Sequence, residues 1–291
     1  MSHKAGFVNI VGSPNVGKST LMNRMVGEKL SIVTSKAQTT RHRIHGIVNT
    51  EAYQIVFSDT PGVVNSSYKL HDVMMSYVDA SIKDADILLF ITDIYESEMN
   101  HKETLNRIQK LQIPVLIVIN KIDLGTQDQA MKRIEFWKEK IPTGEIFPIS
   151  ALHGFNHDTV WNRIVELLPE CPPYFDKEEL SDRPMRFFVS EMIREKIFLF
   201  CDKEVPYSCQ VEVESYLEEE NIIKIKAIII VERDSQKGII IGKSGDMLKK
   251  IGREARKDIE IFVGKKVFLE TYVKVDKDWR ASELKLKKYG Y

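Results

Sequence analysis

The octet Gly12-Ser13-Pro14-Asn15-Val16-Gly17-Lys18-Ser19 sets two glycines ahead of a lysine and a hydroxyl. Its spacing fits G-x-x-x-x-G-K-[ST], a loop whose backbone N–H groups and following helix N-terminus face phosphates. In such a loop Lys18 reaches the β- and γ-phosphates, the Ser19 hydroxyl ligates Mg²⁺, and Thr20 continues into the helix. A second group, Asp59-Thr60-Pro61-Gly62, follows the apolar stretch Ile55-Val56-Phe57. Asp59 suits a water-mediated Mg²⁺ contact, and the Gly62 N–H can approach a γ-phosphate because no Cβ intervenes. Between these groups lies a polar, aperiodic stretch, Lys36-Ala37-Gln38-Thr39-Thr40-Arg41-His42. A hydroxyl there joins the metal only when the γ-phosphate is present, which is how a switch loop is ordered. Pattern alone does not separate the paired threonines; Thr40 is preferred to Thr39. The metal set is therefore Ser19, Thr40 and Asp59, and the groups expected at the reacting phosphate are Lys18, Thr40, Asp59 and Gly62.

The phosphate loop does not tell ATP from GTP. Asn120-Lys121-Ile122-Asp123 does. The Asp123 carboxylate can accept from the guanine N1–H and N2 amine, and adenine offers neither donor there. A buried Asp123 would be left unpaired against ATP, which sites built on polar pairing reject strongly. Asn120 would brace the base edge and the phosphate loop, and the Lys121 stem would cover the base. Ser150-Ala151-Leu152 follows another short apolar stretch, Ile146-Phe147-Pro148-Ile149, and suits a backbone N–H contact to the base O6.

The elements that must position these groups are legible around them. Phe7 to Val11 reads as a buried strand entering the loop, and residues 20–25 as the start of a helix. Residues 113–119 form a continuous apolar run, as in a central parallel strand buried on both faces. Ligands of open α/β sheets bind at the carboxyl ends of such strands. The fold class expected is a doubly wound α/β P-loop GTPase domain over residues 1–170. After a helix over 158–168 the chain passes through Pro169, Cys171, Pro172 and Pro173, favouring an extended linker over 171–183.

A second domain is expected over 184–291. Phe187, Val189, Met192, Ile193, Ile197 and Phe200 recur at mostly helical spacing. Residues 208–216 alternate as a half-buried strand, and 222–231 read as its hairpin partner across Glu218-Glu219-Glu220-Asn221. Ile239-Ile240-Ile241 is read as a further strand, leading into Gly242-Lys243-Ser244-Gly245 and a basic helix. This is the G-x-x-G loop of a KH domain, here in the α+β type II order, which clamps about four single-stranded nucleotides. Met247, Leu248, Ile251 and Ala255 should face the core, leaving Lys249, Lys250, Arg253, Arg256 and Lys257 outward. The RNA-binding set is Gly242, Lys243, Ser244, Gly245, Lys249, Lys250 and Arg253. Charge supports it: residues 237–291 hold 15 Lys/Arg against 8 Asp/Glu, residues 181–236 hold 8 against 12, and the chain balances at 42 each.

The wording of these motifs resembles the Era family of small-subunit ribosome-assembly GTPases. It rests on residues 12–20, 36–44, 59–62 and 120–123, with Gln38-Thr39-Thr40-Arg41-His42 the most family-specific, and extends to residues 191–196, 254–258 and 279–291. The resemblance implies GTP/GDP and Mg²⁺ as cofactors. It also implies binding near the 3′ end of small-subunit ribosomal RNA during assembly of the small ribosomal subunit. Val63 follows Gly62 where Ras-like enzymes place a water-orienting Gln, so slow intrinsic hydrolysis is expected. In GTPases that resemble this one, an Asn at the position of Asn15 can help hold K⁺ near the phosphates.

At 291 residues and 43% apolar content, the chain can build two cores. Three cysteines form no disulfide framework and fit a reducing cytosol; neither a signal peptide nor a membrane-length apolar run is read. A cytoplasmic monomer is expected, since no long heptad pattern occurs. The basic half leaves a second reading open, a membrane-associated signalling GTPase in peripheral, salt-sensitive contact with anionic lipid on the cytoplasmic face.

Overall fold

The computed structural model describes residues 3–64, 67–97 and 101–291, so Met1 and Ser2 of the N-terminal reading lie outside the described residues. Two compact units divide the chain. One comprises Met1–Ser31, Thr40–Ser67 and His71–Asp182; the other comprises Ile32–Thr39, Tyr68–Leu70 and Arg183–Tyr291.

The first unit is a six-stranded sheet with helices interleaved along the chain. Its elements are β1 (Lys4–Gly12), α1 (Lys18–Val26), β2 (Ile44–Asn49), β3 (Tyr53–Asp59), α2 (Lys69–Lys83, whose first residues belong to the other unit), β4 (Ile87–Asp93), α3 (Lys102–Ile108), β5 (Val115–Asn120), α4 (Gln127–Lys140), β6 (Glu145–Pro148) and α5 (His157–Leu167). The strand order is β2-β3-β1-β4-β5-β6. Only β2 runs antiparallel, paired with β3; every other pairing is parallel. The order reverses at β1, so the crevice for a ligand opens beyond the carboxyl ends of β1, β3, β4 and β5. Phosphate loop, Asp59 and tetrad all begin where these strands end. β4 and β5 are buried along their whole length, as expected for parallel strands covered on both faces. Trp137 is fully buried in this core beside Phe90, at a centroid distance of 4.9 Å, and is a packing residue.

The second unit is built from α6 (Met185–Phe200), α7 (Val205–Ser208), β7 (Gln210–Glu218), β8 (Ile222–Val231), α8 (Asp234–Ile241), α9 (Asp246–Val263), β9 (Lys266–Val275) and α10 (Glu283–Lys288). β7 and β8 are antiparallel, while β8 and β9 are parallel and joined through α8 and α9. Ile193, Ile197, Ile225, Ile229, Ile251 and Ala255 meet in its core. This is the α-β-β-α-α-β order of a type II KH domain.

The structure corrects one expectation here. Ile239-Ile240-Ile241 ends α8 rather than forming a strand. Ile240 is buried while Ile239 is 48% exposed, and the Gln236 side chain accepts from the N–H groups of Glu232 and Arg233 at the helix start. A run of three isoleucines is too short for its β propensity to outweigh the helix already begun at Asp234. β7 starts at Gln210 because the preceding Val205–Ser208 turn, with Pro206 in it, is helical.

Candidate nucleotide site and RNA-binding loop

β1 delivers the chain into the phosphate loop, and two glycines make its path possible. A Cβ on Gly12 would lie 2.0 Å from the Ile91 carbonyl oxygen; one on Gly17, at φ +101°, would lie 2.2 Å from Asn120 Nδ2. Lys18 opens α1, buried, with Nζ donating to the Gly12 and Ser13 carbonyls at 3.0 and 2.7 Å. Burial pulls its ammonium down to about 8, against the pull of Asp59 and Glu96. A cation this desolvated is poised for an anionic partner.

Ser19, Thr40 and Asp59 converge. The Ser19 hydroxyl donates to Asp59 Oδ2 at 2.6 Å and lies 3.0 Å from Thr40 Oγ1, and Thr40 Oγ1 lies 3.4 Å from the same carboxylate oxygen. Asp59 is fully buried and its Oδ1 has no hydrogen-bond partner. Burial holds its carboxyl above the usual range, with the Ser19 hydrogen bond pulling the other way. A buried carboxylate with an orphaned oxygen beside two hydroxyls is a donor set for a hard divalent cation. Thr39 faces elsewhere: its hydroxyl lies 2.7 Å from Thr34 Oγ1, donates to the Lys36 carbonyl at 2.7 Å, and belongs to the second unit. Thr40, and not Thr39, thus lies beside Ser19 and Asp59.

Past Asp59, the buried Thr60 hydroxyl donates to the Ile10 carbonyl at 2.7 Å and so anchors the turn to β1. Pro61 is buried beside it. A Cβ on Gly62 would lie 2.8 Å from Pro14 Cα, so only glycine brings this backbone against the phosphate loop. The Val63 N–H donates to the Gly12 carbonyl at 3.1 Å, and its side chain packs with Val11, Val78 and Leu88. Turned into the core, Val63 has neither the chemistry nor the position to orient water.

At the base end, Asn120 Nδ2 donates to the Val16 carbonyl at 2.7 Å and Oδ1 accepts the Ala151 N–H at 2.9 Å. One side chain therefore holds the phosphate loop and the Ser150–Leu152 turn together. Lys121 adopts φ +60°, and its Nζ donates to Asp93 Oδ2 at 2.7 Å. Asp123 sits in the following 3-10 turn with its carboxylate 3.6 Å from His153 Nε2, and is exposed here rather than buried as the guanine-selection reading supposed. Ser150 is buried and its Oγ accepts the His153 N–H at 3.3 Å, whereas Leu152 is 70% exposed. Asn15, at φ +63°, stands exposed at the loop tip. Asp93, Glu96 and His153 were not among the sequence candidates. They belong to no contiguous motif and reach the site only through the fold.

In the second unit, Gly242 ends α8 at φ +72° and Gly245 starts α9 at φ +83°, with Ser244 at φ +55° between them. A Cβ on Gly242 would lie 2.7 Å from Met247 Cβ. Lys243, Lys249, Lys250 and Arg253 are exposed around the loop and along α9, while Ile251 and Ala255 are buried. Met247 and Leu248 are only partly buried against the core. Lys250 Nζ stands 4.2 Å from the Phe200 ring centroid, and Arg253 Nε lies 3.3 Å from Glu254. A narrow glycine loop with cations beside it can clamp a phosphodiester backbone.

Fold and site together define a P-loop GTPase domain followed by a KH domain. The family described as "50S ribosome-binding GTPase" matches residues 7–121, and the KH domain family matches residues 204–280. The chain is 45% identical to GTPase Era of Geotalea daltonii over 289 residues, covering 99% of this chain and 97% of that protein. Two solved structures are similar over 99% of both chains, each with 40% identity and a TM-score of 0.94. One is Era with MgGDPNP and nucleotides 1506–1542 of 16S ribosomal RNA; the other is a variant of Aquifex aeolicus Era bound to GDP·AlF4⁻. The chain belongs to the Era family of GTPases.

Proposed function

We propose that this chain is a GTP-hydrolysing switch of the cytoplasm. Through its KH domain it binds small-subunit ribosomal RNA near the 3′ end and assists assembly of the small ribosomal subunit. The observation that carries the reading is the full-length likeness to the Era structure holding both MgGDPNP and the 16S ribosomal RNA segment. That complex favours RNA over anionic lipid as the target of the basic half, and no helix among the described residues is long and apolar enough to cross a membrane.

Each residue has a part in the chemistry. Ser19, Thr40 and Asp59 would hold Mg²⁺, which supplies positive charge at the β- and γ-phosphates. Lys18 offsets negative charge growing on the same oxygens, and the Gly62 backbone N–H stands where a γ-phosphate is sensed. Asp123 selects guanine, Lys121 covers the base, and Asn120 keeps the two ends of the site in register. Thr40 is joined directly to Ile32–Thr39, a segment held within the unit that carries the KH domain. Chain continuity alone thus links the metal ligand to that unit. With Val63 in the core, intrinsic hydrolysis is slow, and K⁺ held by Asn15 would raise it.

Phosphate release and RNA binding, measured side by side, test this. The wild type should hydrolyse GTP but not ATP in Mg²⁺, faster in K⁺ than in Na⁺. Asp59→Ala should abolish turnover, and Gly242→Asp should lose RNA while keeping it. GTP turnover that survives Asp59→Ala, or RNA binding that survives Gly242→Asp, would contradict the assignment.

A further inference from the structure

Glu96 lies just past β4, half-buried, and no recognised motif contains it. Its Oε1 accepts a hydrogen bond from the Ser13 hydroxyl of the phosphate loop, and its Oε2 accepts from Thr92 Oγ1 at 2.7 Å. The turn it belongs to is wound on Asp93, whose Oδ1 accepts the N–H groups of Tyr95 and Glu96, each at 3.0 Å. The other oxygen of Asp93 accepts from Lys121 Nζ at 2.7 Å. From α4, Arg133 Nη1 donates to the Glu96 carbonyl at 3.0 Å.

One short turn therefore grips both ends of the nucleotide site. Ser13 and Gly12 are the two residues whose carbonyls accept from Lys18, so holding Ser13 helps hold the resting place of that ammonium. Asn120 already pins the loop at Val16. Glu96 is the matching pin at the opposite end of the loop. Burial raises its carboxyl above the usual range, the Ser13 and Thr92 hydroxyls lower it, Asp93 raises it and Lys18 lowers it. A carboxylate placed beside a phosphate site is electrostatically unfavourable there, which makes a purely attractive role for its charge untenable. Its hydrogen-bond geometry is what the site uses.

Resting on the guanine-nucleotide reading above, we propose that Glu96 is a positioning residue for nucleotide binding. It fixes the first turn of the phosphate loop through Ser13 and ties that loop to Lys121 through the Asp93 turn. Misplacing a binding loop by a fraction of an ångström to an ångström costs affinity steeply. Glu96→Gln keeps the acceptor for Ser13 and removes the charge, Glu96→Ala removes both, and Ser13→Ala removes the donor.

Titration of each variant with fluorescent GDP and GTP analogues, with ATP as competitor, is the test, alongside steady-state GTP turnover. Glu96→Ala should weaken both nucleotides by about tenfold or more, raising KM by more than it lowers kcat. Glu96→Gln should restore most of the affinity. Ser13→Ala should weaken binding as Glu96→Ala does, and the double variant should be no worse than either single one, as for two ends of one contact. Wild-type affinity in Ser13→Ala, additive losses in the double variant, or tighter binding by both Glu96 variants would overturn the proposal. A wild type that binds no guanine nucleotide would overturn it together with the reading beneath it.

Discussion

In the proposed function, Asp123 is the residue that decides the identity of the base. Its carboxylate offers two acceptors to the two donors on the guanine edge. Replacing it by Asn leaves one acceptor and turns the other position into a donor, which meets the guanine N2 amine head-on. A carbonyl at that base position pairs with the amide instead. Asp123→Asn should therefore lower GDP affinity by about a hundredfold or more and gain xanthosine diphosphate, because a site built on polar pairing strongly rejects a base whose polar edge it leaves unpaired. Competition of the two nucleotides for the variant reads this out, and unchanged GDP preference would mean that Asp123 does not face the base. At this scale the sequence was most informative where chemistry needs contiguous residues, as in Gly12 to Ser19 and Asn120 to Asp123. It was silent on Asp93, Glu96 and His153, whose contacts with Lys121, Ser13 and Asp123 exist only once separate strands and turns have been brought together.

Among the elements, α6 carries the heaviest buried charge. Arg194 is 1% exposed, forms an ion pair with Glu191 on the same helix, and donates to the Thr39 carbonyl of the Ile32–Thr39 segment in its own unit. Glu195 accepts the Val33 N–H at 3.2 Å, and Lys36 Nζ donates to the Cys201 carbonyl. Removing one partner of a buried pair leaves the other charge uncompensated. Arg194→Met should then cost about 3–5 kcal/mol of stability, seen as a lower urea midpoint for the C-terminal transition, and Glu191→Gln in the same chain should recover part of the loss. A midpoint equal to the wild type would show that the pair is solvated in a way its burial does not suggest. Periodicity made α6 and the β7–β8 hairpin legible, since each has one face in a core. It misjudged Ile239-Ile240-Ile241, where a short apolar run fits either a strand or the last turn of a helix and the preceding helix start settles the matter. Nor could it separate Thr39 from Thr40, because their hydroxyls differ only in contacts that the fold creates, Thr39 with Thr34 and Lys36, Thr40 with Ser19.

At the scale of the whole molecule, a nucleotide site and an RNA clamp share one chain, and the segment leading to Thr40 is counted with the clamp's unit rather than with the nucleotide's. Order imposed on Thr40 by a γ-phosphate and Mg²⁺ must be accommodated by a neighbour one residue away that α6 holds. Nucleotide state and RNA affinity should thus be thermodynamically linked. The most direct measurement is the affinity for an oligonucleotide of the 3′ end of small-subunit ribosomal RNA, with GDP and with a non-hydrolysable GTP analogue, at one fixed salt concentration. The expected result is tight binding that differs between the two states by about tenfold or more, or about 1.4 kcal/mol of coupling. Equal affinity in both states would contradict it.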